Sequence, residues 1–353
     1  MRFILASMLI TSAPGVAAQE HPAEALPQEG TPTFQGFLFG DVTYLASKRG
    51  GSQGFLAGQL VGHGNARLSD RLTFFGELSA SARENTYLIE VERAILRYDF
   101  ADELKLSAGR YHTPVSYWNT AYHHGLWLQT SVARPEIIRI GGTFLPVHFV
   151  GAMMEGTFSS RVGSLTYAAG AGNGRGTIIS RAGDAGDVNS NRATVFSVGV
   201  RPRALSGLGI GGSLYNDRVP MDSVGVGERI LTGHVVWDHG APEIIAEYAA
   251  IRHDAPAGDA TTSDGFYVQA GVRLPGALWR LKPYGRFENM DIATDDAVFA
   301  PNLADYEAVI GGVRWDFEAL ATLKAEFRRE QSAGGERLNS LYFQAALVVP
   351  STH

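Results

Sequence analysis

Arg71-Leu-Thr-Phe-Phe-Gly-Glu-Leu-Ser-Ala-Ser-Ala82 carries the pattern on which the fold turns. Leu72, Phe74, Gly76, Leu78 and Ala80 share one face of an extended chain, and Arg71, Thr73, Glu77, Ser79 and Ser81 share the other. A period of two puts each set on one side of a β-strand. The strand has an apolar face and a wet face over about ten residues, the length that crosses a bilayer at a tilt.

The same alternation continues from Phe34 to the end of the chain. Phe266, Val268, Ala270, Val272 and Leu274 face away from Tyr267, Gln269 and Arg273. Trp279, Leu281 and Phe287 oppose Arg280, Lys282, Tyr284, Arg286 and Glu288, and Leu323, Ala325 and Phe327 oppose Lys324, Glu326 and Arg328. In the last block, Leu341, Phe343, Ala345, Leu347 and Val349 oppose Ser340, Tyr342 and Gln344. Parity switches between Glu90 and Asp99, as a β-bulge requires.

Connectors alternate between short ones, near 67–71, 100–103, 159–163, 203–207, 239–242, 275–278 and 317–320, and others that are mostly longer and more polar. The longer set includes 113–144, 174–192, 217–227, 253–264 and 290–304. The fold class expected is all-β: a transmembrane antiparallel up-and-down β-barrel of about 16 strands, with short periplasmic turns and longer external loops, over residues 34–353. A secreted sandwich or propeller also alternates, but a propeller needs a repeat of about 40–50 residues and none is present. Tyr87, Tyr98, Phe100, Tyr215, Trp237, Trp279, Trp315 and Phe317 fall near strand ends, where interfacial girdles form.

Composition agrees. Of 353 residues 45% are hydrophobic, and charged residues make up only 19%; no apolar run reaches the length of a membrane helix. The net charge of -6 gives no basic field for nucleic acid. The absence of cysteine suits passage through an oxidising periplasm. Arg2, the apolar run Phe3 to Ile10, and Val16-Ala17-Ala18 read as a signal peptide over 1–18, cleaved before Gln19. Residues 19–33 read as a flexible periplasmic lead-in. The localisation expected is the bacterial outer membrane.

Leu104-Lys-Leu-Ser-Ala-Gly-Arg-Tyr-His-Thr-Pro114, followed by Tyr117-Trp118-Asn119 and preceded by Glu92 to Phe100, resembles the strand-then-loop of Gram-negative porin-like proteins, including the phosphate-selective porin superfamily. The resemblance implies a channel for small hydrophilic solutes or ions, with assembly as a homotrimer open. Phosphate-selective members carry a dense ladder of lysines and arginines, whereas this chain has only Lys48, Lys105, Lys282 and Lys324. Many such barrels also end on an aromatic residue, whereas here Pro350-Ser-Thr-His353 follows Phe343 and the strand it closes. Phosphate specificity is therefore not carried over.

A pore works by its lining. Period two turns Asp41, Glu77, Glu90, Glu92, Arg201, Arg273, Arg280, Lys282, Arg286, Glu288, Lys324, Glu326 and Arg328 inward as pore-lining candidates, and it does the same for Glu247 and Glu307. Connector 113–144 is rich in aromatics, and Tyr117, Trp118, His123, His124, Trp127 and Arg134 are candidates for a constriction loop folded into the lumen. A lid across the mouth, or contact with a neighbouring subunit, is the alternative use of that segment. His112, His123, His124 and His148 match no standard metal spacing, so no metal and no cofactor is expected.

Gly50-Gly-Ser-Gln-Gly54 matches a nucleophile elbow but lies in a hairpin, and Gly207-Leu-Gly-Ile-Gly-Gly212 lacks the following helix that a dinucleotide site needs. Neither makes a catalytic site. The expected function is passive diffusion through a non-enzymatic channel in contact with outer-membrane lipid, and the alternative is an outer-membrane hydrolase or a plugged structural barrel.

Overall fold

The structure is a computed structural model describing residues 32–47, 53–83, 86–122, 125–141, 143–181, 183–184, 186–221, 224–256 and 258–351. The expected signal peptide, nearly all of the lead-in, and His123 and His124 lie outside the described residues.

Sixteen antiparallel strands close into a barrel in strict sequence order. The first half of the wall is β1 (Thr33–Ser47), β2 (Gly54–Arg67), β3 (Leu72–Arg83), β4 (Thr86–Ala101), β5 (Leu104–His112), β6 (His148–Ser159), β7 (Gly163–Asn173) and β8 (Ala193–Pro202). The second half is β9 (Leu208–Val219), β10 (Val226–Trp237), β11 (Glu243–Asp254), β12 (Thr261–Gly271), β13 (Leu281–Asp291), β14 (Tyr306–Glu318), β15 (Ala321–Ser332) and β16 (Leu338–Pro350). β1 closes on β16 with Leu38 opposite Val349, and the pairing ends in reciprocal hydrogen bonds between Gly36 and Ser351. Closure removes the unpaired edges that lipid would not solvate.

The period-two faces fall as the chain dictates. Leu78, Leu231 and Phe327 are exposed on the lipid side, while Glu77, Ile230 and Glu326 beside them are buried inside. Glu77 pairs with Arg93 but Leu78 pairs with Val91, so Glu92 is an extra residue in β4. That bulge is the parity switch seen in the sequence, and it turns Glu92 and Arg93 both into the barrel. A second bulge lies at Asp41, whose carboxylate accepts the Gln59 amide at 2.9 Å.

Tyr98, Phe100, Trp279 and Trp315 stand exposed at the ends of the strands where short turns gather, as an interfacial belt does. Tyr215 does not belong to that belt. It is buried inside, in phase with Ser213 rather than with the lipid-facing Leu214. Glu307, expected inward, is exposed on the opposite face of β14 from Tyr306 and Ala308.

Much of the interior is packed. Trp118, Ile138, Phe144, Phe149, Tyr215, Ile230, Ile245, Tyr267 and Phe299 belong to one apolar cluster, built from inward wall residues and from the long connectors.

Candidate functional site

The described residues of the connector between β5 and β6, 113–122, 125–141 and 143–147, run inside the barrel. They reach inward side chains of β11, β13, β14, β15 and β16, which only an interior path permits. The connector's two roots are adjacent, because His112 pairs with His148 across β5 and β6. Asn119 ties them together, donating from its side-chain amide to the carbonyls of Thr113, at 3.1 Å, and Val147, at 2.8 Å.

The segment first forms helix α1 (Tyr117–Tyr122). Ser116 caps it, its hydroxyl accepting the Asn119 amide at 3.2 Å. The free amides of the first turn find their acceptor across the barrel. Glu247 of β11 accepts the amides of Tyr117 at 2.7 Å and Trp118 at 2.8 Å, and also the hydroxyl of Tyr267. Trp118 is fully buried, edge-on to the Tyr267 ring.

Beyond the helix, residues 126–136 hang on a ladder of wall charges. Lys324 donates to the carbonyls of Leu126 at 2.6 Å and Ser131 at 2.9 Å. Arg314 donates to those of Trp127 at 2.6 Å and Gln129 at 2.9 Å. Arg286 donates to the Ala133 carbonyl and the Ser131 hydroxyl, and Lys282 to the Thr130 hydroxyl. Carboxylates take the amides in turn: Glu326 accepts Val132 at 3.0 Å and Glu288 accepts Glu136 at 2.6 Å. A backbone without strand partners is thus satisfied by side chains, as buried peptide groups require.

The wall cations are also balanced by acids. Lys282 pairs with Glu243, Arg286 with Glu288, Arg314 with Asp316 and Arg328 with Glu326. Lys282, Arg286, Glu288, Lys324, Glu326 and Arg328 therefore face inward but stand behind the inserted segment. Arg201 and Arg273 sit near the short-turn rim, paired with Asp238 and Asp316. Arg280 departs from the expected place: it precedes β13 and lies exposed in the turn, donating to the Phe317 carbonyl at 2.5 Å.

On the opposite wall Glu77 gathers His63, at 2.9 Å, together with Arg93 and His112. Glu92 takes His148 at 2.8 Å and the Ser79 hydroxyl at 2.6 Å. Glu90 pairs with Arg181 of the connector between β7 and β8. Inward side chains on this wall that keep partial exposure are His63, Asn65 and Arg67 on β2, Thr73 on β3, Arg97 and Asp99 on β4, Lys105 on β5 and Glu155 on β6.

Of the constriction candidates, Tyr117 and Trp118 are buried, Trp127 packs under Arg314, and Arg134 donates to the Asn119 side chain at 3.1 Å. Burial pulls the Arg134 guanidinium downward, against the pull of Glu92 and Glu247. Glu136 and Arg139 form an ion pair at 2.8 Å, with Arg139 about half exposed. Burial, reinforced by Glu288, pushes the Glu136 carboxyl up to about 7 against the pull of Arg139.

A third buried cluster escaped the sequence reading. Arg175, in the β7–β8 connector, forks onto both Glu228 oxygens at 3.0 and 2.9 Å and donates to the Ile179 and Phe144 carbonyls. His253 lies between Glu228, at 3.1 Å, and Asp296, at 2.8 Å. Asp296, in the β13–β14 connector, also accepts the amides of Val298 and Phe299. Burial works to raise its carboxyl, but His253 and those amides hold it below its usual range. Three connectors are therefore pinned to β10 and β11 at one point. Glu228 stands at the edge of the expected connector 217–227 and His253 falls within the expected connector 253–264, so neither their inward place nor their loop partners were read. Among the described residues no group of three or more histidines and acids is placed to hold a metal ion.

No protein-family model and no curated protein matches the chain. Solved structures do. An anion-selective porin from Comamonas acidovorans is similar with a TM-score of 0.65 at 12% identity, covering 90% of this chain and 99% of that one. OmpT, an outer membrane protein of Vibrio cholerae, folded in vitro, gives 0.60 at 14% identity, covering 93% and 100%. Salmonella typhi OmpF, in complex with daunomycin, gives 0.59 at 13% identity, covering 92% and 99%. At these identities the likeness is one of fold, and the chain is a sixteen-stranded barrel of the bacterial outer membrane with porin-like architecture.

Proposed function

We propose that the barrel is a channel through which small hydrophilic solutes and ions diffuse passively, without cofactor, energy source or catalysis. One observation carries this reading: the interior is filled unevenly. The inserted segment is bound against β11–β16, while partly exposed polar and charged residues line β2–β6. The water-filled path runs along that polar wall. Rows of opposed charge beside a narrow passage order water and disfavour apolar solutes. A trimer form of the Vibrio cholerae OmpT is among the similar structures, and the same assembly is proposed for this chain.

The plugged barrel is the second reading, favoured by the size of the apolar cluster inside. The hydrolase gains nothing from Ser263, Asp296 and His253, although they adjoin. Ser263 donates to Asp296, and the far nitrogen of His253 is taken by Glu228, so no base faces a nucleophile.

Single-channel recording of the refolded mature protein in a planar bilayer separates the two. Stable ohmic steps are expected. Silence from a heat-modifiable, folded barrel would put the plugged reading in its place.

A further inference from the structure

On the lipid-facing side, the external ends of β9, β10, β11 and β12 form ordered rows. Leu214, Leu231, Ala250 and Asp264 are cross-strand partners in one outward row, apolar except for Asp264. The next outward row toward the long-loop rim is Asn216, Arg229, Arg252 and Thr262. The row above it holds Arg218, Gly227 and Asp254. Arg229 and Arg252 are thus direct cross-strand neighbours on one face, where like charges repel. Their Cα atoms are held about 4.5–5.5 Å apart, close enough for two guanidinium groups to share one anion.

Internal compensation is partial. Arg252 contacts Asp254 at 3.0 Å, with both side chains half exposed. Among the described residues Arg229 reaches the neutral Asn216 side chain, at 3.3 Å, and Arg218 reaches the Val224 carbonyl at 3.2 Å. The next acid on this face, Asp264 of β12, is engaged by Tyr248 one strand away. Among the described residues, three guanidinium groups therefore meet two carboxylates on this face, Asp254 and Asp264, at the top of the apolar band. A soluble anion has no reason to be sought at that height. A lipid does, because its chains lie against Leu214 and Leu231 while its head group reaches the arginines.

We propose that this rim of β9–β11 is a docking surface for the phosphorylated head group of an outer-leaflet lipid, with Arg229 and Arg252 sharing a phosphate and Arg218 flanking it. The inference does not depend on whether the lumen conducts.

The test measures binding to the full mature protein in neutral detergent. The probes are bisphosphorylated lipid A, its dephosphorylated form, and inorganic phosphate. The wild type is expected to prefer the phosphorylated lipid, and the Arg229→Gln/Arg252→Gln double variant to bind it about tenfold more weakly, with heat-modifiable migration retained. Should the double variant not fold, each single substitution is expected to weaken binding in the same direction. Arg203→Gln, in an exposed turn at the opposite rim, is expected to bind as the wild type does. Equal binding by wild type and variants would overturn the proposal. So would equal affinity for the dephosphorylated lipid, competition by inorganic phosphate at the same concentration as lipid, or an equal loss in Arg203→Gln.

Discussion

Glu247, on the eleventh strand, caps a helix that begins a hundred and thirty residues earlier: its Oε2 lies 2.7 Å from the amide of Tyr117. A helix N-terminus carries unsatisfied amides and partial positive charge, and a carboxylate satisfies both. Glu247 is buried, and Ser116 and Tyr267 donate to the same group, so the contact is sheltered from solvent competition. Glu247→Ala is expected to free the start of the inserted segment. Single-channel traces should then show larger and noisier conductance, and the segment should become a protease site in an otherwise intact barrel. A quiet channel of unchanged size would mean that the segment is held elsewhere.

Lys324 spans two carbonyls of the segment, those of Leu126 and Ser131. Lys324→Met keeps the stem and removes the donor, leaving buried acceptors unmet. The expected loss is about 1–3 kcal/mol, read as an earlier unfolding midpoint in denaturant. An unchanged midpoint would show that water replaces the ammonium at no cost.

The Glu136 carboxyl, pushed up to about 7, binds its proton more tightly in the folded protein than in the unfolded chain. Stability from this group is present below the ordinary carboxyl range and is lost as pH rises through about 7. The same rise adds a negative charge beside Glu288 and Glu330. The unfolding midpoint in denaturant should therefore fall in a step as pH rises from the ordinary carboxyl range to about 7. Glu136→Gln should remove that step, and an identical titration in the variant would assign it to another group.

Arg175 is 2% exposed and its neutralising partner is Glu228. Glu228→Gln leaves a buried guanidinium beside His253, which also loses its carboxylate at that nitrogen. The expected cost is about 3–5 kcal/mol. Hydrogen exchange should quicken together in the connectors that hold Phe144, Arg175 and Asp296, and not in β1–β4. Exchange confined to one connector would show that the three are not coupled.

Strands and their connectors were legible because lipid on one side and polar interior on the other impose a two-residue period, and Leu78 beside Glu77 is enough to display it. The bulge at Glu92 was legible for the same reason, as a break in phase. Tyr215 misled because enrichment of aromatics near strand ends was read without its phase, which groups it with Ser213. Arg280 misled because phase persists past the point where the strand begins. The inserted segment was legible as an aromatic-rich stretch and a candidate for a loop folded into the lumen, but the way it is held was not. Its anchoring uses wall side chains that meet backbone carbonyls and amides, as Arg314 meets Gln129, and a backbone group leaves no mark in the choice of residue. For the same reason Glu247 could be placed inside the barrel but not beneath Tyr117.

The pairing of His112 with His148 makes residues 113–147 a closed excursion, leaving the wall and returning to it on neighbouring strands. The register of β5 with β6 is set by the strands themselves, so the insert is a cassette. It can be shortened, exchanged or reshaped in evolution while the membrane-spanning cylinder, and the machinery that must assemble it, meet an unaltered substrate.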